Sequence, residues 1–190
     1  EVYKSVDGGL TWSKQNDEYL DAVYNSYGYY FGRIHVSPTD SDQIYIYGVP
    51  ILKSNDSGKT YKRIGASNVH VDHHDLWIAN NNPDRMVIGD DGGGQVTYNG
   101  GRTWTSYHTS ATAQIYQVAV DNQFPYMIYG AQQDNSTFAI MSRTNSSGID
   151  EDDWWPVAGC ESGYIAADPE NHDVTYGGCY GGSLSRYDAN

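Results

Sequence analysis

The chain has 190 residues, enough for one ordinary domain, and carries 24 Asp and Glu against 11 Lys and Arg, a formal net charge of −13. That balance excludes a nucleic-acid binder, which needs a basic stripe to neutralise phosphates. No apolar run approaches the roughly 18 residues that a bilayer-spanning helix requires, and 18 Tyr, 5 Trp and 21 Gly describe a turn-rich all-β chain with little helix.

Ser5, Asp7, Gly9, Thr11 and Trp12 open the chain with the pattern S/T-x-D/N-x-G-x-T-W/Y. It returns at Ser54, Asp56, Gly58, Thr60 and Tyr61, and again at Thr97, Asn99, Gly101, Thr103 and Trp104. The chemistry suits a tight hairpin. The Asp or Asn oxygen accepts from backbone amides ahead of it, Gly supplies the positive φ that ends the turn, and Thr with an aromatic starts the next strand. A period of roughly 40–50 residues signals a propeller or a solenoid. A second set of elements runs out of phase with these turns. Apolar stretches at 33–36, 76–79, 116–120 and 164–167 precede Pro-, Asp- and Asn-containing turns, and each turn leads to an apolar run ending in Gly, at 44–48, 86–89, 127–130 and 174–177. They read as strand, turn, strand, and the S/T-x-D/N turn then joins a third strand to a fourth.

The repeated turn is the Asp box. With His73-His74-Asp75-Leu76-Trp77-Ile78, Gly89-Asp90-Asp91-Gly92-Gly93 and Gln133-Asp134-Asn135, the chain resembles the BNR/Asp-box β-propellers, most of all the sortilin-like and glycosyl-hydrolase-like secreted bacterial proteins. The resemblance implies an all-β chain forming a β-propeller segment of about four blades, with Asp boxes joining the third and fourth strands. Residues 1–24 are then the outer hairpin of a split blade, 33–66, 75–108 and 115–157 full blades, and 163–188 a partial one. Since residue 1 already lies inside a blade, the chain reads as a processed or partial one, a segment of a larger propeller in preference to a closed four-blade ring. In the third full blade, residues 142–153 replace the Asp box with a longer acidic loop.

This connectivity puts the loops before the first strand of each blade and after its second strand on one rim, and the Asp boxes on the opposite face. The rim is the expected binding surface. It collects Tyr29, Tyr30, His70, Asp72, His73, His74, Asp75, Asp90, Asp91, Gln133, Asp134, Asn135, Glu161 and Tyr180. His70, Asp72 and His74 are candidate metal ligands, since imidazole and carboxylate suit divalent ions, but alternation along an extended segment sends His73 and His74 to opposite faces. No cofactor is expected; calcium or another divalent ion has candidate sites here and in the acidic run 150–153, which lacks the spacing of an EF-hand loop.

Asp90 and Asp91 match the Asp-Gly-Gly element of xyloglucanase-type propellers loosely, where the resemblance implies a catalytic carboxylate, with Asp75, Asp134 and Glu161 as candidate partners. The convergent arginines of a sialidase are missing: Arg33, Arg63, Arg85, Arg102, Arg143 and Arg186 fall mostly in strands or in turns of the opposite face. Cys160 and Cys179 lie in two rim loops of the last blade. With no CxxC, they read as a structural disulfide closing a 20-residue loop, which points to an oxidising compartment. The expectation is a secreted, periplasmic or cell-surface interaction module that binds a protein or glycan, or the remainder of its own propeller, through the rim. The alternative is a segment of a xyloglucanase-like glycoside hydrolase.

Overall fold

A computed structural model describes residues 1–20, 22–25, 27–110 and 112–190. The chain divides into two compact units, residues 1–111 and 112–190. Both are built from small antiparallel sheets in which each strand pairs with the one before it in sequence. In the first unit, β1 (Tyr3–Lys4) and β2 (Ser13–Lys14) form a hairpin. β3 (Arg33–Val36), β4 (Ile44–Tyr47), β5 (Ile51–Ser54) and β6 (Lys62–Arg63) form a four-stranded sheet, and β7 (His73–Ala79), β8 (Asn82–Asp90) and β9 (Gly93–Thr97) a three-stranded one. In the second unit, β10 (Ile115–Val120), β11 (Met127–Gln132), β12 (Thr137–Met141) and β13 (Trp154–Trp155) make four strands. β14 (Ile165–Ala167), β15 (Val174–Gly178) and β16 (Leu184–Asp188) make three. Among the described residues there is no α-helix, only short 3-10 turns.

Burial follows the strand pattern. All four residues of β4 are buried, which is why Ile-Tyr-Ile-Tyr reads as a continuous apolar run and not as an alternation. Tyr45 and Tyr47 face the next sheet, in a core with Ile51, Leu76, Met86, Ile88 and Trp104. Ile46 packs the other way, against Val2 and Val23. In the second unit Met127, Tyr129 and Ala139 pack with Ile165 of the following sheet. Within each unit, then, a sheet lays one face on its successor, and no strand pair is asked to stand alone.

The three repeated turns fold alike. The amides of Gly9, Gly58 and Gly101 donate to the hydroxyls of Ser5, Ser54 and Thr97 at 2.8, 2.9 and 3.2 Å. Those of Thr11, Thr60 and Thr103 donate to Oδ1 of Asp7, Asp56 and Asn99, each at 2.9 Å. The glycines sit at φ of 93°, 87° and 88°, the left-handed region that a Cβ disfavours. One bond reverses: Thr11 and Thr60 hydroxyls donate to the Asp Oδ2, whereas Asn99 donates its amide to the Thr103 hydroxyl. Four hydrogen bonds converging on one short side chain hold Asp7 and Asp56 at a pKa of about 2, the Thr hydroxyl being the largest cause in both.

Two departures from the expected strands have local causes. The turn expected at 82–84 is drawn into β8: Ala79 pairs with Asn82, the register then jumps to Met86 opposite Ile78, and Pro83 falls in the unpaired stretch, where a missing N–H costs nothing. In 75–108 the fourth strand is reduced to Thr105, whose amide bonds the Val96 carbonyl while its hydroxyl accepts from the Val96 amide. The side chain takes the ladder position that a backbone carbonyl holds in the four-stranded sheets.

Candidate functional site

In the first unit the candidate residues gather where the loop into β7 meets the turn after β8. His73 and Asp90 are register partners at the mouth of the β7–β8 ladder. Both side chains are buried, with His73 Nδ1 at 3.5 Å from Asp90 Oδ2. Asp90 Oδ1 accepts from the Gly92 amide at 3.0 Å and from Gln95 Nε2 at 3.3 Å. The loop entering β7 is pinned to the preceding sheet: the amides of Asp72 and His73 donate to the carbonyls of Val49 and Gly48. The next pair faces outward. His74 Nε2 lies 2.6 Å from Asp91 Oδ1, both partly exposed.

An aromatic group covers that outer pair. The rings of Tyr30 and Phe31 lie 4.9 and 5.2 Å from the His74 ring, and Tyr27 and Tyr29 extend the contact chain. Tyr29 is 85% exposed and Tyr30 58%. Clustered phenol rings with open faces and free edges are amphipathic contact surfaces. Further in, Asp75 Oδ1 accepts from the Tyr47 hydroxyl at 3.3 Å and from the Leu76 amide at 2.9 Å. Burial, with Asp75 beside it, pushes the Tyr47 phenol up to about 12.

The metal candidates do not converge. The Nδ1 of His70 lies 2.9 Å from the Val71 carbonyl, and its ring packs edge-on against Tyr107. His74 turns to Asp91, and Asp72 sits at a φ of 64° in the loop. Among the described residues no three His, Cys, Asp or Glu side chains are grouped to hold a metal ion. In the run 150–153, Asp150 accepts from the Asp152 amide and Asp153 from the Asp150 amide, so these carboxylates cap a 3-10 turn.

The second unit holds its own group. Glu161 Oε2 accepts from the Asp134 amide at 2.5 Å. The Tyr180 hydroxyl bonds to Glu161, which raises its pKa. Gln133 bridges the Tyr116 hydroxyl and Asp134 Oδ1, and Asn135 donates to the Gln133 carbonyl. Cys160 and Cys179 form a disulfide with Cα atoms 5.1 Å apart, tying together the loops that carry Glu161 and Tyr180. The described candidates thus form two local clusters, Asp90 and Asp91 in one unit and Asp134 and Glu161 in the other.

Gln95 and Tyr107 take part but lie outside the sequence-derived set. Gln95 had a readable signal, since it shares the inward face of β9 with Thr97. Tyr107 had none, because its contact with His70 comes from a 3-10 turn after the shortened sheet.

No family model and no curated protein matches the chain. Solved structures similar to it include an ancestral GH74 enzyme, at 13% identity and a TM-score of 0.39 over 82% of this chain and 22% of that one. The GH74 xyloglucanase from Xanthomonas campestris aligns at 13% identity and a TM-score of 0.34, over 83% and 28% of the two chains. YCF48 bound to D1 peptide aligns at 11% and 0.33, over 82% and 53%. The chain spans about a quarter of the length of the two GH74 proteins and about half that of YCF48.

Proposed function

We propose that this chain is a segment of a secreted Asp-box β-propeller that serves as an interaction module, binding a protein or glycan through the rim formed by the loops before the first and after the second strand of each blade. Successive antiparallel sheets packed face on face, with the same turn three times over, support the propeller reading. The disulfide supports an oxidising compartment.

The observation that carries the binding reading is the contrast between Asp90 and the tyrosines beside it. A general acid or base must reach the proton it transfers. The Asp90 carboxylate has no exposed surface: its Oδ1 accepts from Gly92 and Gln95, and its Oδ2 faces His73 Nδ1 at 3.5 Å. Asp91 is engaged by His74, and Glu161 by the Asp134 amide and Tyr180. These carboxylates act as acceptors that shape loops. Tyr29 and Tyr30, by contrast, stand open to a partner, and tyrosines supply contact area at low conformational cost. The hydrolase alternative, with Asp90 or Asp91 acting alongside Asp134 or Glu161, asks those same groups to leave their present bonds.

The test is a screen of the intact chain against immobilised polysaccharides, sialosides and a displayed peptide library. A ligand retained by the native chain should lose at least tenfold in affinity with the Tyr29→Ala/Tyr30→Ala double variant, with melting temperature checking the fold of that variant. A ligand indifferent to both rings, or a chain that retains none, contradicts the reading.

A further inference from the structure

Among the described residues of the sheet β7–β9, three buried side-chain atoms have no hydrogen-bond partner: Nδ1 of His73, Oδ2 of Asp90 and Oε1 of Gln95. They belong to residues already in contact. His73 and Asp90 are register partners, and Gln95 Nε2 donates to the other oxygen of the Asp90 carboxylate at 3.3 Å. That bond settles the Gln95 amide, because turning it over would set Oε1 against a carboxylate oxygen. Gln95 pairs with Ile88, and Ile88 with Leu76. Paired residues share a face, as do residues two apart on a strand, so Asp90 and Gln95 stand beside core residues no more than 2% exposed. Bulk water does not reach them: 2% of the His73 side chain is exposed, and none of the Asp90 side chain or of Gln95.

The chemistry of these atoms is one-sided. Asp90 Oδ2 and Gln95 Oε1 accept only, and neither has a donor. His73 Nδ1 stands 3.5 Å from Asp90 Oδ2, beyond the roughly 2.7–3.2 Å of an N–H···O bond. The two bonds to Asp90 Oδ1 come from neutral groups, the Gly92 amide and the Gln95 carboxamide, so the buried charge needs a further counterpart. Two oxygens and an imidazole nitrogen with lone pairs to give are a donor set for a divalent transition ion. The spacing agrees: two ligands of a tetrahedral ion, each about 2.1 Å from it, stand about 3.4 Å apart.

We infer that His73 Nδ1, Asp90 Oδ2 and Gln95 Oε1 hold a structural divalent ion of the zinc type inside β7–β9. The third ligand is an amide oxygen, which is why the His and carboxylate side chains alone make no group of three. The ion neutralises the buried carboxylate and joins all three strands where the chain leaves for the outer pair, His74 and Asp91. The site is independent of what the rim binds.

The test is calorimetric titration of zinc chloride into the full chain after EDTA treatment and dialysis, with melting temperature followed in parallel. One saturable equivalent that raises the melting temperature is expected. Asp90→Asn keeps the shape and removes the charged ligand, so zinc affinity should fall at least a hundredfold. Gln95→Glu exchanges the amide oxygen for a carboxylate and should tighten zinc at least tenfold; should Asp90→Asn fail to fold, this arm decides. The His70→Ala/His74→Ala double variant, which removes two imidazoles outside the site, should bind as the native chain does. A native chain that binds no zinc overturns the inference, because a buried water then satisfies the three atoms. So does zinc binding that Asp90→Asn and Gln95→Glu leave unchanged, or that the double variant abolishes, since the ion then sits on the other histidines.

Discussion

Trp12 and Trp104 end the same eight-residue pattern, and each donates its indole N–H to the carbonyl of the pattern's glycine, at 3.0 and 3.2 Å. Trp12 is nonetheless 63% exposed and Trp104 6%. The local bonds are the same, so they do not set burial. What differs is the neighbour: Trp104 lies on the face of β3–β6, while among the described residues no sheet covers Trp12. The motif thus fixes a turn and aims an aromatic, and the adjacent sheet decides whether that ring becomes core.

Mutating the two tryptophans gives the widest separation. Trp104→Ala should cost about 3–5 kcal/mol in denaturant unfolding, as buried aromatic truncations do, and Trp12→Ala less than about 0.5 kcal/mol. Equal losses would break the comparison. The two units differ next in their covalent links. Reducing Cys160–Cys179, which spans 19 residues in sequence, should cost about 3 kcal/mol. The loss should appear as faster amide exchange confined to residues 112–190, and a uniform increase along the chain would count against it.

The turns themselves give a smaller contrast. Thr97→Val leaves the buried amide of Gly101 without its acceptor and should cost about 1–3 kcal/mol. Ser5→Ala, in an exposed turn, should cost less because water replaces the bond. The smallest effect is acid sensitivity. Asp7 and Asp56 have carboxyls depressed from 3.8 to about 2, so their stabilisation is present above pH 4 and is lost as pH falls toward 2. Asn99 already performs the same turn without a titrating group. Asp56→Asn should therefore fold and show a shallower fall in melting temperature between pH 4 and 2; an unchanged slope would mean the carboxylate is not the acid-sensitive group.

These residues also mark what could be read from the sequence. The turns were legible because each completes its bonds within eight residues, and the paired strands because β4 and β11 carry apolar runs ending at glycine. The disulfide was legible because two cysteines allow one pairing. Burial of Trp104 and exposure of Trp12 were not, since both depend on residues tens of positions away. Asp90 reads as a surface turn carboxylate in sequence, yet the ladder mouth draws it beneath His73 and Gln95. Its neighbour Asp91 alone keeps the outward position expected for both.

The reading of the rim as a binding surface stands or falls most directly on hydrolytic turnover. The intact chain should be assayed for release of reducing ends from xyloglucan and β-glucans, and of sialic acid from sialosides, beside the Asp90→Asn/Asp91→Asn double variant. The account predicts no release from either protein. Turnover by the native chain that the double variant abolishes would show that these carboxylates transfer protons, and would contradict it.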